Sequence, residues 1–174
     1  AEEAINAGAS IVNDIGANNN NSKMWNVISQ TKAGYICMHM KGTPKTMQKS
    51  PFYENVISDV CNFFQERLNS FEEHGVSAEQ IAFDPGIGFG KTYEHNLELL
   101  QRHELFRGKE GFAVLWGVSR KSFIGQLTGH SDPSERLAGT LAIASMAHYE
   151  HIDIVRAHDV QEHMDLFKVL NIVD

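Results

Sequence analysis

The sequence predicts an α/β protein whose strands form part of a (β/α)₈ barrel, and three observations lead to this fold class. Short apolar runs alternate with longer segments of helical periodicity, an order that is typical of parallel strands. Polar or charged residues stand at the carboxyl end of each predicted strand, which suits a barrel because all barrel strands end at one mouth. The 174 residues contain five such strands, whereas a complete barrel has eight and needs about 250 residues.

The predicted strands are runs of apolar, β-branched or aromatic residues of strand length. They cover residues 9–15, 34–40, 80–84, 112–118 and 152–157. A short helix that ends near Gly8 precedes the first of them. The other predicted helices have apolar residues at helical spacing and cover residues 22–33, 56 to near 75, 95–106, 120–128, 133–149 and 160–170. Pro133 lies in the first turn of its helix, where its missing N–H does no harm.

An open doubly wound sheet is the other architecture compatible with this order. An open sheet binds its ligand mainly at one switch point, whereas a barrel gathers all strand ends around one mouth. Here every predicted strand delivers polar groups at its carboxyl end, so we favour the barrel. These groups are Asn13 and Asp14, His39 and Lys41, Asp84, Ser119 to Lys121, and Arg156 with His158 and Asp159.

The composition describes a globular protein and excludes several classes of partner. Lys and Arg number 15 against 22 Asp and Glu, a net charge of −7 with no basic run, so we expect neither a nucleic-acid nor a membrane partner. Cys37 and Cys61 are not at ligand spacing, which argues against a zinc site or a disulfide framework and favours the cytoplasm. At roughly 150 residues per domain, residues 1–174 are predicted to form one domain.

The segment from Asp84 to Thr92 reads Asp-Pro-Gly-Ile-Gly-Phe-Gly-Lys-Thr. It does not match the phosphate-binding loop, which would require Gly where Pro85 stands, nor the dinucleotide pattern, because its third Gly comes one residue early. What remains is a carboxylate at the end of a buried strand, followed by glycines that allow the backbone to approach a ligand or a neighbouring loop. A turn or capping role for Asp84 is the alternative.

The strand ends together predict a site with two kinds of partner. The Asp84 carboxylate and the Asn13 amide suit a ligand edge that carries several N–H donors and an acceptor. Lys121, Arg156 and His158 suit an anion. The turn that begins at Gly117 adds backbone N–H groups and a helix amino terminus. We therefore expect one ligand with a polar heterocyclic edge and an anionic group.

Other polar residues are predicted to be structural. His39 is expected to be a hydrogen-bonded core or pocket-wall histidine, and Arg136 to pair with an acidic side chain across helices. His148 and His151 are three residues apart but are predicted to be surface residues and not metal ligands. The remaining predictions are that Cys37 packs in the core, that Arg120 is structural, that His95 and Asn96 form a cap and loop brace or contact a ligand, and that residues 18–21 form a loop with Ser22 as a helix cap.

Six motifs in order resemble the dihydropteroate synthases, a family of pterin-binding (β/α)₈ barrels. They are Ile-Val-Asn-Asp-Ile from Ile11, Met-His-Met-Lys-Gly-Thr-Pro from Met38 with Thr-Met-Gln from Thr46, the Asp84 segment with His95 and Asn96, Gly-Val-Ser-Arg-Lys-Ser from Gly117, Ser-Glu-Arg-Leu-Ala-Gly from Ser134, and Ile-Val-Arg-Ala-His-Asp from Ile154. The resemblance implies a transferase that joins hydroxymethyl-dihydropterin pyrophosphate to p-aminobenzoate, releases pyrophosphate in folate biosynthesis and is a sulfonamide target.

The resemblance also implies roles at the pterin. Asn13 and Asp84 would bind the polar edge of the pterin, with Ile15 and Met38 packed near its ring. Lys121 would lie against the pterin and hydrogen-bond to it.

The other implied roles concern the second substrate and the leaving group. Phe89 would form a wall of the p-aminobenzoate site, Ser119 would contact the carboxylate, and Gly117 would lie against substrate. Arg156 and His158 would cradle the pyrophosphate. Lys121, Arg156 and His158 are therefore the predicted catalytic residues.

Family members carry further strands before the Asn13 strand, and the sequence starts without Met inside a helical pattern. We therefore expect these residues to be a C-terminal portion that is inactive alone. The resemblance places a Mg²⁺ ligand in those earlier strands and none in these residues, and it implies a homodimer. The alternative function is a pterin-binding module without synthase activity, such as the methyltetrahydrofolate-binding domain of a methyltransferase, which has less need for the basic groups at Lys121, Arg156 and His158.

Overall fold

The computed structural model describes residues 1–17 and 22–173, and within them five parallel strands form one sheet. The strands are paired in chain order with no reversal, so there is no switch point of the doubly wound kind. This order confirms the prediction of consecutive barrel units and argues against the alternative, an open doubly wound sheet. The strands are β1 (Ile11–Asp14), β2 (Gly34–Met38), β3 (Ile81–Asp84), β4 (Ala113–Trp116) and β5 (Ile154–Val155).

Helices connect the strands, and three short 3₁₀ helices supplement them among the residues that the structure describes. The α-helices are α1 (Glu2–Asn6), α2 (Ser22–Thr31), α3 (Val56–Glu73), α4 (Tyr93–Gln101), α5 (Ser122–Thr128), α6 (Leu137–Tyr149) and α7 (Val160–Val173). The 3₁₀ helices are Ala78–Gln80, His103–Arg107 and Pro133–Arg136. In the part of the chain that is described, no helix combines the length and the apolar character needed to cross a bilayer.

The two faces of the sheet have different surroundings because side chains alternate along a strand. One face carries Tyr35, Cys37, Phe83 and Trp116, which pack with residues of the helices in one large core. Phe83, for example, stacks on Phe64 of α3 with ring centroids 4.2 Å apart. Cys37 is fully buried here, as predicted.

The opposite face carries a separate small apolar cluster of Ile36, Ala82 and Leu115, with Ala113 and Ile154 packed against it. No helix residue belongs to this second cluster within the described residues. Helices on one face and a small inner cluster on the other are the layers of a barrel wall. The sheet is therefore an arc of five barrel units.

The predicted element boundaries differ from the observed ones where local chemistry intervenes. Helix α4 starts at Tyr93 and not at residue 95, because the Thr92 hydroxyl accepts from the His95 N–H while the His95 ring accepts from the Thr92 N–H. Helix α5 starts at Ser122 and not at residue 120, because Arg120 has a φ of 57°. The predicted loop at residues 18–21 lies outside the described residues.

Candidate functional site

The glycine loop, residues 85–90, follows β3 and lies over the end of β2. Gly86 has a φ of +70°, and a Cβ atom there would lie 1.8 Å from the His39 carbonyl oxygen. A Cβ atom on Gly90 would lie 2.5 Å from the Lys41 carbonyl oxygen. Gly86 and Gly90 are therefore needed because the backbone of the glycine loop touches the backbone that follows β2. Close approach to a neighbouring loop was one of the two reasons that the sequence predicted for these glycines, and approach to a ligand was the other.

Side chains from several elements hold this loop. Within residues 1–17 and 22–173, six side chains bond to the backbone of residues 86–90. The side-chain oxygens of Asp84 and Asn96 accept from the N–H groups of Gly86 and Gly88, respectively. The side chains of Lys121, Gln48, Lys91 and Tyr53 donate to the carbonyl oxygens of Ile87, Gly88, Phe89 and Gly90, respectively. Asn96 is thus a loop brace, one of its two predicted roles.

Asp84 ends β3 on the inner face of the sheet and is only 2% exposed. Its Oδ1 atom accepts from the Gly86 N–H at 2.7 Å. Burial raises the pKa of Asp84, and the charges of Lys121, Lys91 and Arg156, together with the Gly86 bond, oppose that rise. A buried carboxylate faced by several cations is not a simple turn residue.

Lys121 is the N-cap residue of α5, and its side chain reaches back to the glycine loop. Its ammonium donates to the Ile87 carbonyl and lies 4.7 Å from the centre of the Phe89 ring. Burial lowers the pKa of Lys121 to about 8, although Asp84 opposes the shift. Asp84, Lys121 and Phe89 therefore lie close together at one side of the same mouth.

The ends of β4 and β5 supply the other side. A cavity of about 400 Å³ is lined by Gly117, Ser119, Arg120, Lys121, Pro133, Arg156 and His158. The Ser119 hydroxyl contacts the ring of His158 at 3.0 Å and accepts from its backbone N–H at 3.2 Å. Ser119 thus positions His158, a role that the sequence did not suggest. A Cβ atom on Gly117 would lie 2.9 Å from Arg156 Nη2, so the guanidinium lies directly against that glycine.

Asn13 on β1 and Met38 on β2, two of the predicted pterin residues, share the inner face with Asp84. Met38 is buried and is the direct neighbour of Asp84 in the sheet. Asn13 is level with Ile36, which places it two residues deeper than Asp84. Asn13 is exposed, and Ile15 is 42% exposed, because β1 is an edge of the described sheet.

Two arginines near the cavity are structural. Arg120 forms a two-point ion pair with Asp159, and its Nε–Oδ2 distance is 2.9 Å. Arg136 is buried and donates to the carbonyl oxygens of His130, Ser131 and Arg120. The prediction that Arg136 pairs with an acidic side chain is wrong, because carbonyl oxygens from the turn before α6 and from the residue Arg120 before α5 surround its guanidinium.

His39 and Lys91 form a buried pair under the glycine loop. The Lys91 ammonium lies 3.0 Å from His39 Nδ1 and donates to the Phe89 carbonyl at 3.0 Å. His39 is thus a hydrogen-bonded buried histidine, as predicted, but Lys91 was given no role. The signal in the sequence was a lysine directly after three closely spaced glycines, between a buried strand and a helix start.

The residues of the site fit an anion and not a metal ion. The cavity is lined by the cations Lys121 and Arg156, which repel a metal ion, and by His158. Over the described residues, no group of three or more His, Cys, Asp or Glu could hold a metal. A larger cavity of about 780 Å³, bordered by His148 and His151, lies beside α6, α7 and the start of β5, and contains none of the predicted site residues.

Two relatives are named dihydropteroate synthase. The one from Synechocystis sp. is 44% identical over 170 residues, which are 97% of this chain and 58% of the relative. The one from Escherichia coli K12 is 39% identical over 168 residues, again 97% of this chain and 58% of the relative. The chain therefore spans less than two thirds of the length of these relatives.

Solved structures of dihydropteroate synthases have the same fold. The Stenotrophomonas maltophilia structure, with imidazole in its active site, has a TM-score of 0.92 at 37% identity and covers 99% of this chain and 64% of its own. Two Thermus thermophilus structures match at TM-scores of 0.88 and 0.91 and 34% and 33% identity. The matches cover 97% and 99% of this chain and, in both cases, 66% of the Thermus thermophilus chain. The first structure holds 6HMPPP and the second holds 4-aminobenzoate.

The model of the family described as "Pterin binding enzyme" matches residues 1–158, which include all five strands and the whole site described above. The fold, the buried carboxylate beside a basic cavity and these comparisons agree. The chain belongs to the pterin-binding enzyme family.

Proposed function

We propose that the protein containing this chain is a dihydropteroate synthase, which joins hydroxymethyl-dihydropterin pyrophosphate to p-aminobenzoate and releases pyrophosphate. One observation carries the proposal: a buried carboxylate, Asp84, interacts electrostatically with Lys121 and Arg156, and these two residues line a cavity together with His158. This arrangement suits a ligand with a polar heterocyclic edge at one end and a diphosphate at the other. The relatives named as this enzyme support it.

The pterin end would bind on the inner face of the sheet. Asp84 would accept hydrogen bonds from the amino and ring N–H groups of the pterin, and Asn13 can both donate and accept. Because Asp84 is buried, its bonds to a ligand would be stronger than those of an exposed carboxylate. Met38, adjacent to Asp84, would pack under the ring. The Thermus thermophilus structure with 6HMPPP supports a pterin substrate of this kind.

The diphosphate end would bind at the mouth of the cavity. Arg156 offers a planar donor fork, and His158 is held in place through Ser119. Fixed cations that bind the developing charge of the departing pyrophosphate more strongly than the ground state lower the barrier. The aminobenzoate would lie near Phe89 and Ser119, and the structure with 4-aminobenzoate supports this second substrate.

The reaction is a substitution at the exocyclic methylene carbon of the pterin. We propose a dissociative course in which the bond from this carbon to the pyrophosphate oxygen breaks first and the electron-rich pterin stabilises the methylene cation. The amine nitrogen of p-aminobenzoate then forms the new bond and loses a proton to solvent. The residues of this chain would bind, orient and neutralise charge, and no protein base is required.

A pterin-binding module without synthase activity is the second candidate, because Asp84 and Asn13 alone would serve it. The basic cavity argues against it, since a pterin binder that expels no pyrophosphate has little use for Arg156 and His158. The two candidates differ in one measurable property, the release of pyrophosphate that depends on p-aminobenzoate.

The test is an assay of pyrophosphate release and dihydropteroate formation by the full polypeptide. We expect activity that requires both substrates. We expect Arg156→Ala to lower kcat/KM at least about 30-fold, because a lost charged contact to a leaving group costs on the order of 2–4 kcal/mol. Lys109→Met, at an exposed loop residue outside the cavity, is the control. Pterin binding without pyrophosphate release would favour the second candidate, and an Arg156→Ala enzyme within about twofold of wild type would refute the leaving-group role.

Four further properties remain proposals. Mg²⁺ is expected to accompany the pyrophosphate, with protein ligands other than the residues of the basic cavity. Competition by sulfonamides with p-aminobenzoate, a homodimer and a cytoplasmic location are expected from the family resemblance. Size-exclusion chromatography with light scattering on the full polypeptide would test the dimer.

A further inference from the structure

We propose that Lys91 is a positioning residue for this reaction, acting from behind the site on both the Asp84 carboxylate and the Phe89 wall. The inference rests on the proposed function, since it assigns the substrate-facing roles to Asp84 and Phe89. Lys91 itself is only 3% exposed and lies under the glycine loop, so it does not face the mouth where substrate would bind.

The first step concerns Phe89. One N–H of the Lys91 ammonium donates to the Phe89 carbonyl at 3.0 Å, and the Lys121 ammonium lies over the Phe89 ring. Phe89 N–H in turn donates to the Gly86 carbonyl at 3.0 Å, which closes the turn of the loop. Lys91 therefore fixes the backbone that aims the Phe89 ring at the site.

The second step concerns Asp84. The ammonium of Lys91 would be 3.3 Å from a Cβ atom placed on Gly86, so it lies against the residue whose N–H binds the Asp84 carboxylate. The charges that act on Asp84 are those of Lys121, Lys91 and Arg156. Lys121 and Arg156 would contact substrate, whereas Lys91 stabilises the ionised carboxylate whether or not substrate is bound.

The third step explains why the position holds a lysine. The second described partner of the ammonium is His39 Nδ1, at 3.0 Å. Burial, together with the charges of Lys91 and Lys41, lowers the pKa of His39 to about 2, so the ring is neutral and Nδ1 accepts. Burial lowers the pKa of Lys91 to about 7, with Asp84 opposing and Lys121 adding to the shift. The ammonium form thus prevails in the acid range where Asp84 would otherwise become protonated.

The experiment separates the charge of Lys91 from its hydrogen bond. Lys91→Gln keeps a donor for the Phe89 carbonyl and removes the charge, whereas Lys91→Met removes both. The dissociation constant of hydroxymethyl-dihydropterin pyrophosphate is measured by calorimetry with the full polypeptide between about pH 4 and pH 8. Lys109→Met, an exposed lysine outside the cavity, is the matched control.

Both variants are expected to move the acid limit of pterin binding to higher pH by about half a unit or more, because the pKa of Asp84 rises without Lys91. Lys91→Met is expected to weaken binding a further threefold or so at the upper end of the range, where only the lost donor matters. Lys109→Met should match wild type. A loss of affinity that is the same at every pH, or no loss at all, would overturn the proposal in favour of a purely structural lysine.

A second measurement applies if both variants fail to fold. In the wild-type polypeptide, the ¹³C resonance of the Asp84 carboxyl should show an inflection at the pH where the ε-carbon of Lys91 titrates. Independent titration of the two groups would contradict the coupling. The results distinguish failure of the proposed function from failure of this inference. The proposed function fails if the wild-type polypeptide binds no pterin substrate. The inference about Lys91 fails if the wild-type polypeptide binds the substrate and the Lys91 variants bind it with the same pH dependence as wild type.

Discussion

Replacing Gly117 by alanine should displace the Arg156 guanidinium while the fold stays intact. The added Cβ would lie 2.9 Å from Nη2 and 3.4 Å from Cζ and Nε of Arg156. Because ordinary contacts between such atoms are about 3.5–4.0 Å, the guanidinium must move by roughly 0.5–1 Å. A misplacement of about 1 Å in a catalytic group can cost on the order of 100-fold, so we expect a loss of about 10- to 100-fold in kcat/KM, or about 1.4–2.7 kcal/mol.

The stability of the variant should not fall. Gly117 does not have a positive φ, so alanine fits its backbone, and such replacements stabilise by about 0.4–1 kcal/mol through the unfolded chain. The melting temperature should therefore equal or exceed that of wild type while pyrophosphate release slows. This combination separates a local steric effect from damage to the fold.

A double-mutant cycle identifies the group through which the substitution acts. If Gly117→Ala works by moving Arg156, the double variant with Arg156→Ala should be within about twofold of Arg156→Ala alone, because the two changes remove one interaction. A further tenfold loss in the Arg156→Ala background, or a Gly117→Ala enzyme with wild-type activity, would refute the reasoning.

Three other predictions concern the loop, the ammonium and the buried arginine. Gly86→Ala should destabilise by roughly 3 kcal/mol or more in urea unfolding, because its Cβ would overlap the His39 carbonyl, whereas Gly75→Ala, also at positive φ but in open space, should cost only about 1 kcal/mol. Equal costs would contradict the close contact. The affinity for the pterin substrate should fall as pH rises through about 8, the pKa of Lys121, by up to about tenfold per unit. An affinity that does not change with pH would count against the proposed role of Lys121. Stability has the opposite pH dependence: because burial lowers the pKa of Lys121 on folding, the contribution of Lys121 to the free energy of unfolding increases as pH rises above 8. Arg136→Met should lower the free energy of unfolding by about 3 kcal/mol, since buried carbonyl oxygens lose their donors, and a loss below about 1 kcal/mol would show that water replaces them.

The sequence predicted the strands and the edge at which the site forms because both depend on strong local patterns. Apolar runs that end in a charged residue, as at Asp84, identify a buried strand and the direction in which it points. The parallel order then follows from the helices between the strands. The basic cavity could also be predicted, since Lys121, Arg156 and His158 all follow strands whose carboxyl ends meet.

The remaining features depend on contacts between distant residues. Arg136 satisfies its guanidinium on carbonyl oxygens that exist only because of the turn before α6, and nothing in its neighbours along the chain shows this. Lys91 is paired with His39, 52 residues earlier. The start of α5 depends on the left-handed backbone of Arg120, a conformation that non-glycine residues rarely adopt.

The side-chain hydrogen bonds that hold the backbone of the glycine loop have a thermodynamic consequence for ligands that bind against this loop. Association normally costs about 0.5–1.5 kcal/mol for each flexible side chain that becomes ordered, and more for loops. Where the backbone of residues 86–90 is already immobilised on folding, that entropy has been lost before any ligand arrives. Differences in affinity among ligands that touch this wall should therefore reflect the rigidity of the ligands themselves, and conformationally restricted analogues should gain the most.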